Sequence, residues 1–206
     1  MASDTTTYPV TYDIDRPASQ SRLTNFPLGV GFLIRGILLI PQYIVLYFIA
    51  LVARILYFIA TFAILFSGKY PEGMYNFVAN YVRWNANYNG YFLSLYDKYP
   101  PFSGDQQADY PLTFSTEYPA TSSRLLNLPI FGLVIRAIIL IPHLLIIVAL
   151  GIAEVFVIFI AQFAILFSGS FPEGMHSFAV GVNRWATRLG AYFFGLTDQY
   201  PPFSTK

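Results

Sequence analysis

Two apolar stretches of this 206-residue chain carry charges where charge is expensive. Arg35 and Arg54 interrupt residues 28–67, and Arg136 and Glu154 interrupt residues 130–168. A charged side chain near a bilayer centre costs about 2.5–3.5 kcal/mol even on translocon-derived scales. These four residues are therefore the first candidates for function, as ion pairs, lipid-phosphate contacts or the lining of a polar path. The internal register sets Glu154 opposite Ala53, beside Arg54, so an Arg54–Glu154 ion pair is expected, acting as structural glue. Arg35 and Arg136 read as side chains near helix ends, snorkelling, binding lipid phosphate or capping carbonyls.

Other chemistry is sparse. His143 and His176 stand where the first half of the chain has Gln42 and Tyr75, so no paired metal site is built. His143, on an apolar helix, is the single candidate for a cofactor ligand, to a tetrapyrrole, against the commoner role of a hydrogen-bonded structural histidine. No H-E-x-x-H, glycine-rich phosphate loop, G-x-S-x-G elbow or metal-spaced carboxylate cluster is present. No catalytic residue can be named, and neither an enzyme, a metal nor a cofactor is expected. Glu72 and Glu173 read as favourable charges at helix N-termini. Asp97 and Asp198 read as residues that fix the chain's exit from a helix by bonding nearby N–H groups. Arg83–Trp84 and Arg184–Trp185 read as interface anchors, with phosphate contact by arginine as the functional version.

The elements that must position these residues follow from composition. Hydrophobic residues make up 55% of the chain, charged residues 11%, and mean hydropathy is +0.52. A soluble domain carries about 25% charged residues, so lipid is the expected solvent for much of the surface. A net charge of +1 supplies no field to hold nucleic acid, which is excluded as a partner. Cysteine is absent, which removes disulfides, thiolate sites and palmitoylation. The N-terminus lacks the basic and apolar regions of a cleaved leader, so insertion is expected to rely on the internal apolar segments.

The chain is a tandem duplication. Phe62–Gly68 is repeated letter for letter as Phe163–Gly169, Pro71-Glu-Gly-Met74 returns as Pro172-Glu-Gly-Met175, and Asp97-Lys-Tyr-Pro-Pro-Phe-Ser103 returns as Asp198-Gln-Tyr-Pro-Pro-Phe-Ser204. Nearly half of the aligned positions are identical, far beyond chance self-similarity. Module 1 covers residues 1–103 and module 2 residues 110–206, joined by a polar linker, 104–109. Each module opens on a short alternating stretch, Tyr8–Tyr12 and Tyr110–Phe114, which suits a half-buried strand, and the two strands could pair.

Each apolar stretch of about forty residues is roughly twice the 20 that one crossing needs. A transmembrane helical hairpin is therefore expected over 28–67 and over 130–168. The rival is a short interfacial helix ending at Pro41, followed by one long span from Gln42 to Gly68. Matching motifs after both stretches favour the hairpin, because two crossings per module keep both repeats on the same side. An amphipathic helix follows each stretch, over 71–96 and 172–197, opened by proline and glutamate. It suits the headgroup layer or packing against its counterpart. The expected class is thus an all-α membrane protein of two hairpin repeats, each with an interfacial helix and an N-terminal strand.

Arg-x-Ile-x-Leu-Ile-Pro-[Gln/His], then Phe-Ala-Ile-Leu-Phe-Ser-Gly-x-[Tyr/Phe]-Pro-Glu-Gly-Met, then Arg-Trp and Asp-x-Tyr-Pro-Pro-Phe-Ser, occur in both halves. This succession resembles the DUF4389 family of bacterial membrane proteins over nearly the whole of each copy. The resemblance implies a bacterial membrane location and carries no activity or catalytic residue with it. Together these readings predict a non-enzymatic subunit of the bacterial cytoplasmic (inner) membrane, an accessory, scaffold or assembly factor, with its polar segments in the cytoplasm. Its expected partners are membrane lipids and other membrane-protein subunits, or itself. The alternative is a small transporter or channel with Arg35, Arg54, Arg136 and Glu154 between the repeats.

Overall fold

The computed structural model describes residues 8–206. The residues on which the leader reading rests most, 1–7, lie outside that range. Strand β1 (Val10–Ile14) is followed by helices α1 (Val30–Leu38), α2 (Ile40–Ser67) and α3 (Glu72–Phe92). The second module repeats the order with strand β2 (Leu112–Thr116) and helices α4 (Phe131–Ser168) and α5 (Glu173–Phe193).

No hairpin forms in either apolar stretch. In module 2 the stretch is a single 38-residue helix running through Pro142, and in module 1 it breaks only at Leu39. Module 1 thus follows the rival division, displaced by one or two residues. A tight turn in mid-segment would need residues suited to left-handed backbone and would expose new helix ends to an apolar setting. Nothing around Phe48 supplies such residues. Instead Gln42, Leu46, Ala50, Ala53, Tyr57, Ala60 and Ile64 recur at helical spacing and are buried along the full length of α2. Gly68 and Gly169, at φ 71° and 78°, end α2 and α4 in the left-handed conformation that glycine adopts without steric cost.

The two strands do pair, antiparallel, with Tyr12 facing Phe114. These are equivalent residues of the two modules, so a pseudo-two-fold axis passes between them. Thr11, Asp13, Thr113 and Ser115 point to solvent on one face of the ribbon, while Val10, Tyr12, Ile14, Leu112 and Phe114 form its buried face. The strands are exchanged: α3 packs on β2 of the other module and α5 packs on β1. Helices α3 and α5 also pack on each other and on α2 and α4 respectively, so they form the middle of the molecule. They are core helices, with Tyr75, Val78, Val82, Trp84 and Tyr91 of α3 buried. Their polar stripe is partly inside, since Asn87 is buried as well.

The outward faces of the long helices are uncovered. Tyr43, Tyr47, Phe48, Leu51, Ile55, Phe62 and Phe66 are exposed on α2, and Val134, Ile138, Leu145, Val148, Ile152, Phe156 and Phe167 on α4. Both helices are long and apolar enough to cross a membrane.

Candidate functional site

The most heavily built feature occurs twice. Arg35 on α1 is fully buried, and all of its nitrogens donate. Nε reaches Thr24 O (3.0 Å), Nη1 reaches Tyr91 O (2.6 Å) and Tyr96 O (2.9 Å), and Nη2 reaches Asn25 Oδ1 (2.8 Å) and the Asp97 carboxylate. Its guanidinium also lies 4.5 Å from the Tyr91 ring centre. Asp97 accepts the Ser21 N–H (2.5 Å) and the Asn25 amide (2.9 Å) through its remaining capacity. Arg136 repeats the arrangement with Leu126 O, Tyr192 O, Thr197 O, Asn127 and Asp198. Each clamp ties the loop before the long helix to the last turn of α3 or α5 and to the segment leaving it. The arginines do cap helical carbonyls, and their donors are taken within the fold, which leaves none directed at a headgroup or substrate. The Asp97 and Asp198 roles extend beyond local turn fixing to these long-range contacts.

Sequence reasoning treated Arg35 and Asp97 separately and missed the pairing. The signal was present, because the arginine and aspartate stand 62 residues apart in both modules. The asparagine of each Arg-Leu-x-Asn segment completes the set.

Arg54 and Glu154 do not meet. Arg54 is exposed on α2, in a groove with Tyr43, Tyr47, Tyr81, Asn85 and Tyr88. Glu154 is buried and accepts a hydrogen bond from Asn183 of α5 (2.5 Å). The expected ion pair is thus replaced by a bond within module 2, since each long helix packs on its own module's following helix rather than on its counterpart.

Arg83, Trp84, Arg184 and Trp185 are not interface anchors. Arg83 donates to Phe114 O (3.1 Å), Asn80 Oδ1 (2.8 Å) and Gly104 O (2.7 Å). Arg184 donates to Tyr12 O (2.7 Å), Thr205 O (2.9 Å) and Asp13 (2.8 Å). The pair fastens the exchanged ribbon to the core helices. Trp84 is buried and donates to Gln42 Oε1 (2.7 Å), and Trp185 is buried and donates to His143 Nδ1 (3.0 Å).

That last bond bears on His143 as a ligand. An imidazole that accepts at Nδ1 and is neutral carries its proton at Nε2, which leaves no lone pair there for a metal. The ring is stacked on Phe203, with centres 3.8 Å apart and planes at 8°. The geometry therefore gives His143 the role that Gln42 holds in module 1, a buried acceptor for the tryptophan N–H, and not a tetrapyrrole ligand. Among the described residues no cluster of His, Cys, Asp and Glu has the geometry of a metal site.

Two further arginines have no hydrogen-bond partner among the described residues. Arg124 lies against Gly68 and Arg22 against Gly169, each at the end of the other module's long helix. Beside them Leu23 and Leu125 are exposed, and Phe66 and Phe167 are 81% and 79% exposed. Lys69, Ser67, Thr121 and Ser122 complete the surroundings of Arg124.

Residues 30–104 and 132–205 match the family described as Domain of unknown function (DUF4389). The chain belongs to the DUF4389 family. The matched segments begin at α1 and α4, so the exchanged strands and the Arg-Leu-x-Asn loops lie outside them. No curated protein and no solved structure matches this DUF4389 chain.

Proposed function

We propose that this DUF4389 protein is a non-enzymatic scaffold of the bacterial cytoplasmic membrane, an accessory or assembly subunit whose partners are lipids and other membrane-protein subunits or a second copy of itself. One observation carries the reading: the outward faces of α2 and α4 are extensive exposed apolar surface, while Arg35, Arg136 and Glu154 beneath them are engaged in intramolecular hydrogen bonds and Arg54 alone of the four is exposed. Exposed apolar patches beyond a few hundred Å² on a soluble monomer mark interaction sites, and α2 and α4 leave thirteen and fourteen large apolar side chains exposed. The exposed polar face of the ribbon and the linker face the cytoplasm in this reading.

The transporter alternative has less support. It needs Arg35, Arg136, Arg54 and Glu154 to line one path, whereas the first two have their donors filled and the last two lie apart.

Alkaline washing of membranes followed by native purification in mild detergent tests the scaffold reading. The chain is expected to stay with the membranes and to elute with a stoichiometric membrane-protein partner or as a defined oligomer. A monodisperse, lipid-free particle in a detergent-free extract sinks the membrane part, and full recovery as a lone monomer sinks the accessory-subunit part.

A further inference from the structure

Each long helix runs from one arginine clamp to the other. Helix α1 holds Arg35 in clamp 1, and α2 ends at Gly68, whose carbonyl accepts the Ser122 N–H (2.8 Å) beside clamp 2. Helix α4 starts at clamp 2 with Arg136 and ends at Gly169, whose carbonyl accepts the Gln20 N–H (2.8 Å) beside clamp 1. The long helices are therefore antiparallel, and the pseudo-two-fold axis between Tyr12 and Phe114 is perpendicular to them.

This arrangement decides how the molecule can sit in a bilayer. If α2 and α4 crossed it, the axis would lie in the membrane plane and the ribbon would be held at mid-depth. A two-stranded ribbon has two open edges, and this one exposes Thr11, Asp13, Thr113 and Ser115. Hydrocarbon tolerates neither open strand edges nor a lipid-facing carboxylate. Length points the same way, since 38 residues of helix extend about 57 Å against a hydrocarbon thickness of about 30 Å. With the axis along the membrane normal, the conflict disappears. The ribbon then stands clear of the bilayer, and both apolar faces lie at one depth.

We infer that the protein is monotopic: α2 and α4 lie flat in one leaflet as two apolar rails, and Arg22 and Arg124 at their ends bind lipid phosphates of that same leaflet. The inference rests on the membrane reading above and adds its geometry. The occupant of the exposed faces is the leaflet itself, because charge and apolarity alternate as a leaflet requires. Each rail ends at an arginine, without an ion-pair or hydrogen-bond partner among the described residues, that is flanked by exposed Phe and Leu side chains. Between the rails, Asn85, Asn89, Asn183 and Thr187 share with apolar residues the lining of a cavity of about 130 Å³ along the α3–α5 seam.

The chain has no cysteine, so single replacements report topology directly. Ser19 and Thr121 are equivalent, exposed residues at opposite ends of the molecule. Ser19→Cys and Thr121→Cys are each probed with an impermeant thiol reagent in right-side-out and inverted membrane vesicles, with denatured samples as the reactivity control. Both positions are expected to label from the same side, together with Thr113→Cys on the ribbon. Labelling of Ser19→Cys and Thr121→Cys from opposite sides overturns the inference while leaving the membrane reading intact, and absence of the chain from the vesicles overturns both. For the headgroup contact, Arg22→Gln with Arg124→Gln is tested by flotation with phosphatidylglycerol-containing and phosphatidylcholine-only vesicles. Two basic side chains near an anionic surface correspond to about a thirtyfold change in partition at low salt. Loss confined to the anionic vesicles supports the phosphate role, and unchanged flotation refutes it. If 10 mM inorganic phosphate competes fully, a free anion rather than the lipid is the ligand, and the leaflet assignment of these arginines fails.

Discussion

Replacing Arg35 by leucine separates a structural clamp from a guanidinium held ready for a ligand. The side chain is completely buried, and its removal leaves Thr24 O, Tyr91 O, Tyr96 O, Asn25 Oδ1 and the Asp97 carboxylate without their donor. Deleting one partner of a buried ion pair costs about 3–5 kcal/mol. Asp97 keeps the Ser21 and Asn25 donors, and its side chain is 27% exposed, so water can re-solvate part of the charge. The lower end, about 3 kcal/mol, is therefore expected. For a chain of this size that corresponds to a fall in Tm of about 6–12 °C. Thermal unfolding in detergent micelles, followed by the fluorescence of Trp84 and Trp185, measures it. Arg136→Leu should cost a similar amount, and the two should add, because the clamps share no partner and stand at opposite ends of the long helices. Arg35→Leu with Asp97→Ala should instead cost less than the sum of the single changes. A loss under about 1 kcal/mol for Arg35→Leu, the range of a surface ion pair, would falsify the clamp and return Arg35 to the list of ligand-binding residues.

Module 1 supplies the control for His143: His143→Gln is expected to retain stability within about 1 kcal/mol, while His143→Leu, which strands the buried Trp185 N–H, should cost about 1–3 kcal/mol. A haem-like absorption band that His143→Gln abolishes would refute that assignment. His176 donates to Leu95 O from a site where burial lowers its pKa, as Tyr75 donates to Leu196 O. A lowered folded pKa means that the neutral form is favoured in the fold, so this contribution is intact above the ordinary imidazole pKa and lost as pH falls below it. His176→Tyr should flatten the stability difference between about pH 7.5 and 5.5, and an identical slope in both proteins refutes the role. Finally, Gly195→Ser should destabilise, because a Cβ there would lie 2.8 Å from Asn127 Oδ1 and 2.8 Å from the Tyr57 ring, whereas its equivalent Ser94 already holds φ 63° and Ser94→Gly should be neutral or stabilising in the same melting assay.

What the sequence revealed depended on how local the signal was. The duplication, the paired strands and the helix starts at Pro71-Glu72 and Pro172-Glu173 are written in short motifs; the helix starts fall where expected, and the strands pair two residues further along the chain than Tyr8–Tyr12 and Tyr110–Phe114. The hairpins rested on segment length and on the motifs matched after each stretch, while the decisive pattern, a buried stripe of period 3.6 from Gln42 to Ile64, runs unbroken through the presumed turn. The interface anchors failed for a related reason. An Arg-Trp pair looks alike in a headgroup layer and between packed helices, and only the carbonyls of Phe114 and Tyr12, supplied by the exchanged strands, distinguish the two settings.

The exchange also explains why the sequence boundary is not a structural one. Arg83 of module 1 holds Phe114 of module 2 and the linker carbonyl of Gly104, and Arg184 of module 2 holds Tyr12 of module 1. Tyr75 reaches Leu196 O as His176 reaches Leu95 O, and the loop before each long helix meets the end of the other one. Every such contact has its symmetric counterpart, which is the pattern of an isologous dimer drawn into one chain. In a dimer of identical modules the two rails would be forced to match. Fusion lets them differ, and they do: Glu154 is buried against Asn183 on one side, while Arg54 stands exposed on the other. In the monotopic arrangement inferred above, Arg54, exposed on α2 where α4 has Val155, gives the scaffold a left and a right side, and so a means of choosing which partner lies along which rail.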